Sequence, residues 1–271
     1  MNHPSNHTSL EVSNVSPSRS LQIDELVVHI YASADEVALA ASHQAQKILQ
    51  TALAERGEAN VVFATGRSQK NCLQHLTDPN HTSLDWTRIT GFHLDEYLGI
   101  AADHPASFRH YLKHHLTSRV SMQHFYEIEG DGLLPLDICQ RYEQALRSKA
   151  LDLSFLGIGA NGHLAFNDPA VANFKDPQWV KLVRLDETNR QQQLNSTAFD
   201  TLAAVPQYAF TLTLSAICNI RQNLCLAFGE GKASIVKTLL TGDITHKCPA
   251  SILRQISQAT LLLDEEAASF L

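Results

Sequence analysis

No apolar run in this sequence approaches the roughly 18–20 residues that cross a bilayer, so no membrane span is expected. No basic tract is present either. Lys and Arg number 21 against 28 Asp and Glu, and the net charge is −7. That balance argues against nucleic acid as a partner. There are only five cysteines, at 72, 139, 218, 225 and 248, with no CxxC pair among them. This excludes a disulfide scaffold and a zinc ribbon, and leaves reduced thiols as the expectation. The N-terminal stretch has no apolar core like that of a secretory leader, so a cytoplasmic location is expected. No internal repeat and no linker divides the chain.

Apolar residues make up 44% of the 271, ample for one large core. Residues 1–20, rich in Ser, Asn, His and Pro, are expected to be a disordered tail, with one domain over 21–271. Apolar strands are expected at 26–31, 60–64, 87–93, 151–158, 179–185, 208–214, 223–228 and 259–263. Helical spacing falls at 34–56, from about 66 to 76, and at 106–116, 136–150, 232–240 and 249–256. Strands alternating with helices imply an α/β domain with a mostly parallel sheet and helices on both faces.

Two segments carry groups suited to chemistry. The strand 151–158 runs into Gly157, Gly159, Asn161 and Gly162, and then His163. A buried strand that stops at such a turn presents the histidine at the carboxyl edge of a sheet, where ligands bind in α/β folds. The segment 91–99 brings Asp95 and Glu96 to the end of another apolar strand. An acid and an imidazole at strand ends are the parts needed for proton transfer on a small molecule. At Thr65, Gly66, Arg67, Ser68 and Gln69 a strand turns into a helix, and the N–H groups of a helix N-terminus suit an anion. Lys232 follows Gly229 and Gly231 at the start of a later helix. The pair His110 and His114 has zinc-compatible spacing, but it shares a polar helix face with Arg109, Lys113 and His115, and no metal is expected.

Segments 91–99 and 156–169 resemble the glucosamine-6-phosphate deaminase/isomerase family, which shares its fold with 6-phosphogluconolactonases; the resemblance runs from about residue 26 to the C-terminus. It implies a Rossmann-like α/β fold and a sugar-phosphate substrate without a cofactor. Beyond that substrate, the only partner it leaves room for is a further copy of the chain, as a homo-oligomer. By resemblance, Asp95 is the proton-shuttling base and Glu96 its support, while His163 opens the sugar ring. The resemblance also pairs Asp168 with that histidine, at a position the family commonly fills with glutamate, and leaves Asn161 a hydrogen-bonding role. Residues 65–69 match the family's phosphate loop, and Lys232 matches its phosphate-binding lysine. Arg190 lies where deaminases carry a phosphate-binding arginine, although the spacing around it is altered. The implied activity is conversion of glucosamine 6-phosphate to fructose 6-phosphate and ammonia. Alternatives on the same fold are a galactosamine 6-phosphate enzyme, a 6-phosphogluconolactonase and a non-catalytic sugar-phosphate sensor. Some family members are activated by N-acetylglucosamine 6-phosphate between subunits. One arginine of that site falls near Trp179 here, so this activation is not expected.

Overall fold

The computed structural model describes residues 15–196 and 199–271, with the side chains of 195 and 196 left aside. Among the described residues, eleven strands form two sheets. The larger has the order β1 (Arg19–Ile23), β2 (Leu26–Tyr31), β11 (Ala259–Asp264), β10 (Gln222–Ala227), β7 (Leu153–Gly157), β3 (Ala59–Phe63), β4 (Ile89–His93) and β6 (His124–Tyr126). All of its pairings are parallel except β1 with β2. The expected mostly parallel sheet is therefore present. Its central strands are largely apolar because a parallel sheet covered by helices is buried on both faces. Phe63 stacks on Phe155 at 5.6 Å, and Phe92 stacks on Tyr126 at 4.7 Å. Each fully buried Phe contributes about 1.5–3 kcal/mol relative to exposure.

Helix α1 (Ala34–Arg56) lies across β2, β3, β7, β10 and β11. Ser33 caps its start by accepting the Glu36 N–H, and Gly57 ends it in the left-handed conformation at φ 80°. Helix α2 (Arg67–Thr77) follows β3. Next come α3 (Phe108–Leu112), continued by one π-helical turn, and α4 (Pro135–Arg147), α5 (Glu187–Ser196), α6 (Leu214–Cys218) and α7 (Ala233–Thr241).

Three expectations need correction. Strand β1 begins at Arg19, inside the stretch assigned to the tail, because residues 19–23 pair in antiparallel register with 26–30. Residues 1–14 of that tail lie outside the described residues. The apolar runs at 179–185 and 208–214 do not join the main sheet. As β8 (Val180–Arg184) and β9 (Tyr208–Leu212) they pair antiparallel with each other, and β9 pairs with β5 (Asp95–Tyr97). Hydrophobicity alone carries no information about which sheet a strand joins. The expected helix at 249–256 is a 3₁₀ run, Pro249–Gln255.

Topology places the site. From β3 the chain order proceeds outward through β4 and β6 on one side, and through β7, β10 and β11 on the other. The reversal falls between β3 and β7, the position where open α/β sheets bind ligands. There the ladder keeps only the pairs Val61 with Leu153 and Val62 with Ser154. Beyond them the strands part, and the Gln69 amide donates to the freed Leu156 carbonyl at 3.1 Å.

Candidate active site

The loops following β3, β4, β7 and β10 all leave the same edge of the parallel sheet, because neighbouring parallel strands end together. They carry residues 64–69, 94–97, 158–168 and 228–232. The three-stranded sheet ties two of these loops together. Asp95 faces Thr211 of β9 in register, and the Thr211 hydroxyl accepts the Phe166 N–H at 3.0 Å. The Asn167 amide donates to Leu212 of the same strand at 2.8 Å. One short strand thus fixes Asp95 relative to the turn that carries His163.

That turn is built for its histidine. A Cβ on Gly159 would lie 2.1–2.3 Å from the His163 ring, so only glycine leaves room for the imidazole. Gly162 adopts φ 81°, which reverses the chain just before it. The ring is mostly buried, and its Nδ1 faces two acceptors: Asn161 Oδ1 at 2.7 Å and Asp168 Oδ1 at 3.0 Å. Facing only acceptors, Nδ1 holds the proton, and Nε2 is the nitrogen left to exchange one with a substrate. Asp168 is fully buried, which by itself raises a carboxyl pKa. Hydrogen bonds from His163, Asn189 and Asn161, together with the His163 charge, outweigh burial and hold Asp168 below the usual carboxylate value. Asp168, Asn161 and His163 are therefore brought together as one unit.

Asp95 is of the opposite kind. It is 7% exposed, and its carboxylate receives no side-chain hydrogen bond among the described residues. Burial, then the neighbouring Glu96 charge, pushes its pKa well above the ordinary carboxylate value. An isolated, raised carboxylate and a histidine–aspartate unit, carried by two loops at one edge of the sheet, are two titratable groups whose environments set them apart, an arrangement suited to acid/base work. The sign of the stability effect follows. A carboxyl raised in the folded state binds more protons there than in the unfolded chain, so stability falls as pH rises from the ordinary carboxylate range through the raised value. Asp95→Asn is expected to melt roughly 2–6 °C higher than the parent at neutral pH. The difference should vanish below the ordinary carboxylate range; thermal melts across pH check it.

Glu96 does not face the same space. Its carboxylate is completely buried and accepts the Ser107 hydroxyl at 2.7 Å and the N–H groups of Phe108 at 3.1 Å and Arg109 at 3.0 Å. It caps the first turn of α3 and stands 3.4 Å from Arg109 Nε. Its hydrogen bonds are thus with the backbone and Ser107 rather than with Asp95. His93, unassigned by the sequence, is also structural. Its Nε2 accepts the Ile128 N–H, and burial followed by the Arg109 charge lowers its pKa to about 3.

In the loop 65–69, Gly66 sits at φ 102° as the N-cap of α2, and no side chain caps the first-turn N–H groups. Thr65 is half-buried, Gly66 and Arg67 are exposed, and Ser68 is half-buried beside Gly157. Gln69 is fully buried and fills the gap between the strands. Lys232 donates to the Ile158 carbonyl at 2.6 Å, which sets it at the end of β7, and burial lowers its pKa. Asp264 carries no local sequence signal; its carboxylate accepts the Gly229 N–H at 3.0 Å and so braces the Lys232 loop. Arg190 is held through one nitrogen, Nη2, and its Nε is buried with no hydrogen-bond partner among the described residues. Its guanidinium donates to the carbonyls of Leu202 and Val205 at 2.5 and 2.9 Å, clamping a loop. A groove of about 870 Å³, lined in part by Arg56 and Asp152, lies at the opposite, amino-terminal ends of β7, β10 and β11, away from the candidate site residues.

Residues 32–262 match the sequence family described as glucosamine-6-phosphate isomerases/6-phosphogluconolactonase. The chain belongs to this family. A glucosamine-6-phosphate deaminase of Listeria welshimeri is 33% identical over 234 residues, covering 86% of this chain and 96% of that protein. Among solved structures, a monomeric glucosamine-6-phosphate deaminase superposes with a TM-score of 0.83 at 30% identity, covering 90% of this chain and 99% of that one. The 6-phosphogluconolactonase of Trypanosoma brucei has a TM-score of 0.74 at 19% identity, over 93% of this chain and all of that one, a likeness of fold alone. No helix among the described residues is long and apolar enough to cross a membrane.

Proposed function

We propose that this family member is a glucosamine-6-phosphate deaminase. The observation that carries the proposal is the pairing of an isolated, raised Asp95 with a His163 whose Nδ1 is held by Asp168 and Asn161. The deaminase relatives support the choice of substrate. In this reading His163 Nε2 takes the proton of the O1 hydroxyl and returns it to O5, opening the ring. Asp95 removes the C2 proton and delivers it to C1 on the same face, while a proton of the C2 ammonium passes to the aldehyde oxygen O1, so that the C1 hydroxyl and the C2 imine form together. The C2 imine formed by this shift is hydrolysed by water, giving fructose 6-phosphate and ammonia. A base whose pKa is raised removes the carbon-bound proton and donates it again with similar ease. The phosphate lies on the α2 N-terminus with Ser68 and Lys232, and its binding energy orients the reacting carbons. The reaction is expected to proceed in the cytoplasm and without a cofactor.

The test compares kcat/KM on glucosamine 6-phosphate, galactosamine 6-phosphate and 6-phosphogluconolactone. The gluco epimer is expected to lead, and hydrolysis of the lactone alone would replace this reading. Lys232→Met is expected to lower kcat/KM by about 10²-fold, mainly through KM, as loss of a charged contact to phosphate does; initial rates over substrate concentration check it. Activation by N-acetylglucosamine 6-phosphate is not expected. Lys181 is engaged by Asp176 at 2.9 Å and the Val171 carbonyl at 2.8 Å, and the Trp179 ring is covered by Arg147 at 4.3 Å. Rate curves should be hyperbolic and superimposable with and without that compound.

A further inference from the structure

Helix α5 is almost wholly polar, with Leu194 its one large aliphatic residue, yet its Asn189 is completely buried. The Asn189 amide donates to both oxygens of Asp168, at 3.0 and 3.1 Å. Its own oxygen accepts from Gln193 Nε2 at 3.3 Å, and Gln193 Oε1 accepts the hydroxyl of the buried Tyr97 at 2.8 Å. Every donor in this series points toward the Asp168 carboxylate, whose Oδ1 also meets His163 Nδ1 at 3.0 Å. The series begins two residues from Asp95 and ends at His163. A second link from the same helix holds the turn itself, because Gln192 accepts the Ala160 N–H at 3.1 Å.

We propose that Asn189 is a positioning residue for proton transfer: it fixes Asp168 against His163 Nδ1, so that Nε2 alone is presented to the substrate. The proposal rests on the reading of His163 given above. A carboxylate gripped by an amide on both oxygens cannot swing away from the ring, and the imidazole tautomer is set by the acceptor its Nδ1 meets. The shorter reach of aspartate relative to glutamate makes such a grip more consequential here. The ionisable groups around Asp168 are His163 on its own loop and Asp186 before α5, which Asn161 Nδ2 reaches at 3.4 Å.

Two variants test it, Asn189→Ala and the isosteric Asn189→Asp, which places a second carboxyl against Asp168. The first readout needs no substrate. Nitrogen NMR of the free protein, with the His163 signals assigned by comparison with His163→Gln, is expected to find the Nδ1-protonated tautomer in the parent and a mixture of tautomers in both variants. The second is kinetic: kcat on glucosamine 6-phosphate should fall about 10–100-fold with KM within about threefold. In Asn189→Asp the loss should be smaller at pH 6 than at pH 8, because the carboxyl pair retains a shared proton more readily at lower pH. An unchanged His163 tautomer in folded Asn189→Asp would overturn the proposal and leave Asn189 as a helix anchor. If the parent leaves glucosamine 6-phosphate untouched, the functional reading fails, and the NMR result alone decides the role of Asn189.

Discussion

Asp95→Asn is expected to lower kcat on glucosamine 6-phosphate by about 10³–10⁴-fold, the upper range for loss of a positioned general base, with KM within a few-fold. The amide is isosteric, so the neighbouring β5 and β9 pairing should persist, and it cannot accept a carbon-bound proton. The higher melting temperature expected of the same variant separates this loss from misfolding, since a destabilised variant would lose both. For the parent, the acid limb of the kcat profile should sit above the ordinary carboxylate range. The base must be ionised to act, and burial followed by the Glu96 charge raises the pH at which it ionises. An Asp95→Asn enzyme with more than a tenth of parental kcat would remove Asp95 from the role of base.

His163→Gln is expected to lose about 10²-fold in turnover of the cyclic sugar. It should keep the part of the reaction that begins from an open chain. Fructose 6-phosphate with ammonium, incubated in deuterated water, exchanges a C1 hydrogen through the imine in the reverse direction. That exchange depends on Asp95 and not on ring opening. Retained exchange in His163→Gln, with none in Asp95→Asn, would separate the two groups. Equal loss of exchange in both variants would assign the histidine to the carbon-proton transfer as well.

How much of this was legible in the sequence differs by residue. Asp95 and His163 stand at the ends of apolar strands bounded by glycines, and both features leave a local trace. Gly159 and Gly162 mark the turn, and their cause, the close approach of the ring and φ 81°, is visible only in three dimensions. The three-stranded sheet was not legible, because β5 is three residues long and nothing in the composition of β8 and β9 assigns them to a second sheet. Helix α6 hides in the same way, continuing the apolar run of β9 after the Thr213 cap. Glu96 looked like a partner of Asp95 because it is adjacent in sequence. Its true partners begin at Ser107 and are brought to it by the fold. Arg190 and Asn189 are neighbours in a polar segment without periodicity. The resemblance points to the arginine, yet its Nη2 holds two loop carbonyls while the asparagine bonds Asp168.

The most direct measurement is simultaneous quantification of ammonia and fructose 6-phosphate released by the parent enzyme from glucosamine 6-phosphate. The account predicts equal molar amounts of both throughout the time course. Failure to release either product, or ammonia formed without the ketose, would contradict it.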